Sequence, residues 1–162
     1  MSTKALTAEK KSTTIEADEY KVLFVCTGNT CRSPMAEAVY NYYADKYSLK
    51  THASSAGIAA GGGMGMSTHA KTALSDAGYT DNKYDRESVQ ITSELMDGAD
   101  IVIGMTDAHA LRLMMMFPAH ATKIRAFVKN IGDPYGAYLE TYKACLEEIA
   151  RGIKEEFFPE SD

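Results

Sequence analysis

Val22-Leu23-Phe24-Val25-Cys26-Thr27-Gly28-Asn29-Thr30-Cys31-Arg32-Ser33-Pro34-Met35-Ala36-Glu37-Ala38 is the stretch that decides the fold. Residues 21–25 are too few and too rich in strand formers for a helix, and they read as a buried strand. Ser33 is a good helix cap and Pro34 a good first helical residue. A helix is therefore expected to run through Ala36, Val39, Tyr40 and Tyr43 to about Tyr47. Between strand and helix, Cys26 and Arg32 bracket five residues. Backbone N–H groups in such a turn point inward and form an anion nest. Gly28 and Asn29 tolerate the positive φ that a nest requires. Arg32 adds a planar fork that fits two phosphoryl oxygens. The loop amides, Arg32 and the dipole of the following helix all favour the thiolate form of Cys26, and Ser33 is placed to donate to the sulfur. An arginine at a helix N-terminus opposes the macrodipole, so a role outside the helix is the better reason for it. The loop as a whole suits one task, holding a phosphoryl group against a nucleophilic sulfur.

Outward from this loop the chain alternates strands and helices. Residues 51–55 read as a second strand, and the glycine-rich residues 57–65 as irregular. Ser67-Thr68 opens a helix that ends at Gly78. Thr92 caps a short helix over residues 93–98. Residues 100–105 (DIVIGM) are a third strand, followed by a helix capped by Thr106 and stopped by Pro118. Residues 123–128 form a fourth, weaker strand. Asp133-Pro134-Tyr135-Gly136 is a turn by composition. Tyr138, Tyr142, Cys145, Leu146 and Ile149 follow at helical spacing in a last helix reaching about Phe157. The expected fold is an α/β, three-layer arrangement, a four-stranded parallel sheet with helices on both faces. Its phosphate-binding loop lies at the carboxyl end of the first strand, where such sheets bind ligands.

The chain has 162 residues, 45% hydrophobic and 24% charged, with a formal net charge of -5. Those values fit one domain, expected over residues 20–158, and argue against nucleic acid as a partner. Residues 1–19 read as a disordered tail and residues 159–162 as a short C-terminal end. No apolar run has the length of a membrane span, and the first twenty residues lack the apolar core of a secretory signal. A cytoplasmic protein with no membrane partner is expected. Three cysteines, Cys26, Cys31 and Cys145, do not make a disulfide scaffold. The histidines at 52, 69, 109 and 120 are scattered and read as surface or packing residues, so no metal is expected.

Displacing a side chain from phosphorus also requires a proton for the leaving group. Asp133 is the candidate acid, because Pro134 stiffens the turn that carries it. Cys31 has two readings that both stand at this point: a partner for a protective disulfide with Cys26, or a small buried residue packed beneath the loop. Cys145 reads as core.

At these residues the chain resembles the low-molecular-weight protein tyrosine phosphatases. The resemblance rests on residues 25–38, on Ser55-Ala56-Gly57 and on Asp133-Pro134-Tyr135, and it covers about residues 20–158. It implies a cysteine-dependent protein phosphatase with Cys26 as nucleophile, Arg32 as phosphate clamp, Ser33 as thiolate partner and Asp133 as general acid. It also implies a cysteinyl-phosphate intermediate, hydrolysed by water with Asp133 as base, and needs no metal or cofactor. Thr27, Gly28, Asn29, Thr30, Cys31, Arg32, Ser33 and Tyr135 are the implied phosphate- and substrate-binding residues. The partners implied are phosphorylated proteins, with inorganic phosphate as product.

One branch of that family removes phosphate from arginine, and it carries threonine where Thr30 stands here. A small hydroxyl at the rim suits a polar, forked phosphoguanidinium, whereas an apolar wall suits a phenyl ring. Gly136 points the same way, since many tyrosine-directed members have a second tyrosine there. Tyr135 points the other way, because its ring can stack on phosphotyrosine. Two further classes remain as alternatives. An arsenate reductase of this fold would use a downstream cysteine pair, and only Cys145 follows the loop. A non-catalytic phosphoprotein-binding module predicts loss of Cys26, Arg32 or Asp133, and all three are present.

Overall fold

In the computed structural model, residues 19–79 and 86–160 are described. The expected tail lies outside these residues except for Glu19, and so do the last two residues. Four strands form the sheet: β1 (Tyr20–Cys26), β2 (Thr51–Gly57), β3 (Ile101–Gly104) and β4 (Ile124–Ala126). Their order is β2-β1-β3-β4, and every pairing is parallel. Among the described residues five α-helices accompany them: α1 (Arg32–Lys46), α2 (Thr68–Asp76), α3 (Ser93–Gly98), α4 (Asp107–Met116) and α5 (Leu139–Phe157).

The continuous apolar run of β1 follows from its central place. Successive side chains alternate between faces, and both faces are covered. Val22 and Phe24 pack with Met35, Val39, Tyr40, Ile149 and Ile153 from α1 and α5. Leu23 and Val25 pack on the other side with Met96, Ala110 and Leu113 from α3 and α4. Helix α1 is buried around nearly its whole circumference, from Arg32 to Ala44. Such a helix shows no polar stripe, which is the pattern of a core helix rather than a surface one. Buried Asn41 on α1 closes the edge of β2: its Nδ2 donates to the Ala53 carbonyl at 3.0 Å and its Oδ1 accepts from Ala53 N at 2.8 Å. An edge strand is thereby tied to the helix in front of it.

Three differences from expectation stand out, the first of them at the site. Helix α1 begins at Arg32, with Cys31 at the cap position and no side-chain cap. Ser33 was expected to cap; its hydroxyl instead faces the Cys26 sulfur at 2.9 Å. A 3-10 turn over Pro118–Lys123, not foreseen, fills the connection before β4. Proline stops α4 as expected, but three-residue turns remain open to it. β4 is also shorter than expected, Ile124–Ala126. Ser67, Thr92 and Thr106 cap α2, α3 and α4, each accepting a backbone N–H three residues on.

Two glycines let the strand ends approach their neighbours. A Cβ on Gly57, the last residue of β2, would lie 2.6 Å from the Thr27 carbonyl oxygen. One on Gly104, the last residue of β3, would lie 2.6 Å from Ala110 N and 2.9 Å from His109 Cβ. The loop after β1 and the first turn of α4 are thus seated directly on the sheet's carboxyl end.

Candidate active site

Residues 27–31 wrap from the end of β1 to the start of α1. Asn29 takes φ 58°, a left-handed conformation that asparagine tolerates better than most residues. A cavity of about 370 Å³ opens above the loop. Cys26, Thr27, Gly28, Thr30, Cys31 and Arg32 line it, together with Ala59, Gly61 and Met64 after β2 and Asp133 and Tyr135 from the turn before α5. Cys26 is only 2% exposed, whereas Tyr135 is 65% exposed at the mouth.

The hydrogen bonds under the loop have a definite direction. Val89 N donates to Asn29 Oδ1 at 2.8 Å, which fixes the amide's orientation. Asn29 Nδ2 then donates to Ser33 Oγ and to Ser55 Oγ, both at 2.9 Å. Ser55 Oγ also accepts from Arg86 at 3.0 Å, so its own hydrogen goes to Glu37 Oε1 at 2.6 Å. Arg86 in turn pairs with Glu37 at 2.6 Å and balances that nearly buried carboxylate. Ser33 Oγ, having accepted from Asn29, offers its hydrogen to a Cys26 thiolate at 2.9 Å. When the sulfur is protonated, the same hydroxyl can accept from it and turn to the Ala56 carbonyl at 3.4 Å.

Arg32 is buried at the cavity's base. Its Nη1 donates to the Ile131 carbonyl at 3.1 Å, and its Nη2 lies 3.6 Å from Asp133 Oδ2. Asp133 Oδ1 accepts from Tyr135 N at 3.1 Å, an Asx turn that holds the carboxylate toward the cavity. The structure therefore brings Cys26, Arg32 and Asp133 to one cavity, with Thr27, Gly28, Thr30, Cys31 and Tyr135 around it. Asn29 and Ser33 do not line it; their side chains brace the loop from below. Cys31 is buried, and its thiol faces Ser67 Oγ at 3.7 Å and Tyr142 OH at 3.6 Å. The three cysteines are free thiols. Burial pushes the Cys145 thiol up to about 12, as suits a core residue.

Sequence reasoning missed His109, Glu37 and Arg86. Glu37 lies one helical turn beyond Ser33 and was legible only as helix; Arg86 had no local signal. His109 was read as packing. It is 7% exposed, and its Nε2 meets Thr27 Oγ1 at 2.9 Å while Nδ1 meets Thr106 Oγ1 at 2.9 Å. Burial, helped by Arg32 and opposed by Asp133, pushes this imidazole down from 6.5 to about 4. The unfolded chain therefore binds a proton near pH 6.5 that the folded protein takes only near pH 4. Stability from this group is full above the first value and is lost as pH falls toward the second, a change on the order of 2–3 kcal/mol. Thermal unfolding between pH 7 and 4.5 is expected to fall less steeply in His109→Gln than in the parent; parallel curves count against the assignment.

The sequence profile described as low molecular weight phosphotyrosine protein phosphatase matches residues 21–158. The chain belongs to that family. It is a protein phosphatase, and so a hydrolase of the cysteine-dependent type. Among similar proteins is a protein-arginine-phosphatase of Geobacillus stearothermophilus, 36% identical over 80% of this chain and 88% of its own length. Another, from Bacillus subtilis, is 33% identical over 83% of this chain and 92% of its own length. Among solved structures, the low molecular weight protein tyrosine phosphatase of T. tengcongensis superposes with a TM-score of 0.82 at 35% identity, covering 87% of this chain and 99% of that one. The family's fold is the one observed here, with Cys26 at the strand end. Among the described residues, no helix is long and apolar enough to cross a membrane.

Proposed function

We propose that this phosphatase works through a cysteinyl-phosphate on Cys26 and prefers phosphoarginine to phosphotyrosine in proteins. The observation that carries the chemistry is the meeting of Cys26, Arg32 and Asp133 on one cavity, with Arg32 Nη2 3.6 Å from Asp133 Oδ2. In the first step the thiolate attacks phosphorus, the bond to the substrate's nitrogen or oxygen breaks, and Asp133 gives the leaving group its proton. Arg32 and the loop N–H groups hold the phosphoryl oxygens as charge shifts onto them. In the second step Asp133 takes a proton from water, which attacks the cysteinyl-phosphate and releases inorganic phosphate. No metal or cofactor enters either step.

Thr30 supports the arginine reading. It lines the cavity and presents a hydroxyl where an aliphatic side chain would give a phenyl ring an apolar wall. Two relatives named as protein-arginine-phosphatases, 36% and 33% identical, support it too. A strict phosphotyrosine specificity is the second reading, favoured by the exposed Tyr135 ring at the cavity wall. Steady-state kinetics on phosphoarginine and phosphotyrosine peptides of one sequence decide between them. Thr30→Ile is expected to move the ratio of kcat/KM toward phosphotyrosine by about tenfold to a hundredfold. An unchanged ratio removes Thr30 from the argument.

A further inference from the structure

We propose that His109 is a positioning residue: its Nε2 takes the hydrogen of the Thr27 hydroxyl and so turns the Thr27 oxygen toward the cavity as an acceptor for an N–H of a phosphorylated guanidinium. The proposal rests on the phosphoarginine reading of the same site and adds a second hydroxyl to Thr30.

Its place on the cavity lining gives Thr27 its part. Cys26 is 2% exposed, whereas Thr27, the next residue, is exposed, and both line the cavity. A substrate whose phosphorus reaches the Cys26 sulfur therefore has its leaving group in the cavity that Thr27 lines. A guanidinium leaving group carries N–H donors into that cavity; a phenolic oxygen carries none.

The direction of the Thr27 hydroxyl follows from what surrounds it. Arg32 and the loop N–H groups fill the cavity's base with donors, so the hydroxyl's negative end is favoured inward and its hydrogen outward. Outward lies His109 Nε2 at 2.9 Å. In that tautomer the ring's Nδ1–H donates to Thr106 Oγ1 at 2.9 Å, beside the backbone N–H that already caps the helix at 3.1 Å. The ring is held at both nitrogens, by Thr27 Oγ1 and by Thr106 Oγ1, and Gly104 seats the His109 backbone and Cβ against the strand end. Burial and Arg32 keep the imidazole neutral, and only a neutral ring accepts a hydrogen. Asp133 and Arg32 are the charged groups that act on it.

The test uses the full chain and phosphoarginine and phosphotyrosine peptides of one sequence, with Thr27→Val, His109→Leu, His109→Gln and the Thr27→Val/His109→Leu double variant. The readout is the ratio of kcat/KM for phosphoarginine over phosphotyrosine. Thr27→Val and His109→Leu are each expected to lower that ratio by about threefold to tenfold, the size of one hydrogen bond. The double variant is expected to fall no further than the lower of the two, because both remove one interaction. His109→Gln, whose side-chain oxygen can accept the same hydrogen, is expected to retain more of the ratio than His109→Leu. A histidine that only packs would lower both substrates together and leave the ratio where it was. An unchanged ratio, or additive losses, overturns the proposal while the phosphoarginine reading stands. If His109→Leu does not fold, Thr27→Val with His109→Gln carries the same comparison. A parent enzyme that cleaves only the phosphotyrosine peptide removes both the reading and the proposal.

Discussion

Cys26→Ser is expected to lower hydrolysis of an aryl phosphate by at least about 10⁴-fold while the protein stays folded. The substitution is nearly isosteric, and the site is buried, so the loop has no reason to open. What changes is the nucleophile. A serine hydroxyl is a far weaker acid than a thiol, and Ser33 and the loop N–H groups do not ionise it. Without a general base beside it, the new oxygen has nowhere to send its proton. A single-turnover experiment with labelled substrate sharpens the result, because the parent should carry label on Cys26 in acid-quenched samples. Retention of more than a few per cent of parental turnover, or label on any other residue, removes Cys26 from the reaction.

Asp133→Asn is the second large effect, and it is graded by leaving group. The amide keeps the shape and still accepts from Tyr135 N, so the turn is retained; the proton and the charge beside Arg32 are lost. With a phosphotyrosine peptide, whose phenolate leaves poorly, kcat is expected to fall by about 10²–10³-fold. With an aryl phosphate whose phenol is already acidic, the loss is expected to be less than about tenfold, since that group departs without help. Equal losses on both substrates would assign Asp133 to shaping the site and take the acid role from it.

These two residues were readable in the sequence for different reasons. Cys26 and Arg32 sit in one short turn, so their spacing alone implies that both face the same centre. Asp133 is more than a hundred residues away from Cys26, and what marked it was the need for an acid, the stiffening Pro134 and the family resemblance of Asp133-Pro134-Tyr135. The sheet itself was legible because β1 and β3 are short apolar runs set between helices, whereas β2, THASSAG, is mostly small and polar and reads as a strand only by its place in that alternation. β4 is shorter than expected at both ends: the 3-10 turn before it takes up Lys123, and the strand stops at Ala126, ahead of Phe127 and Val128.

What stayed hidden was the support beneath the loop. Ser33 looks like a helix cap from its neighbours, and the cap reading failed because the helix begins at Arg32, which puts Ser33 inside its first turn with the hydroxyl on the sulfur. Arg86 joins Glu37 across 49 positions, and His109 joins Thr27 across 82. Pairs so far apart leave no periodicity or spacing to detect.

The brace under Cys26 also bears on how the enzyme is made. It joins Cys26 and Asn29 to Glu37, Ser55, Arg86 and Val89. These residues belong to β1, α1, β2 and the segment that follows α2, so no local fragment contains them all. Closing such long stretches of chain costs entropy before the contacts return anything. The loop's working shape is therefore a late product of folding, formed only once the sheet's first pair and its covering helix have met. In a refolding experiment, helical signal would return ahead of phosphate binding, and catalytic competence would mark the end of the pathway.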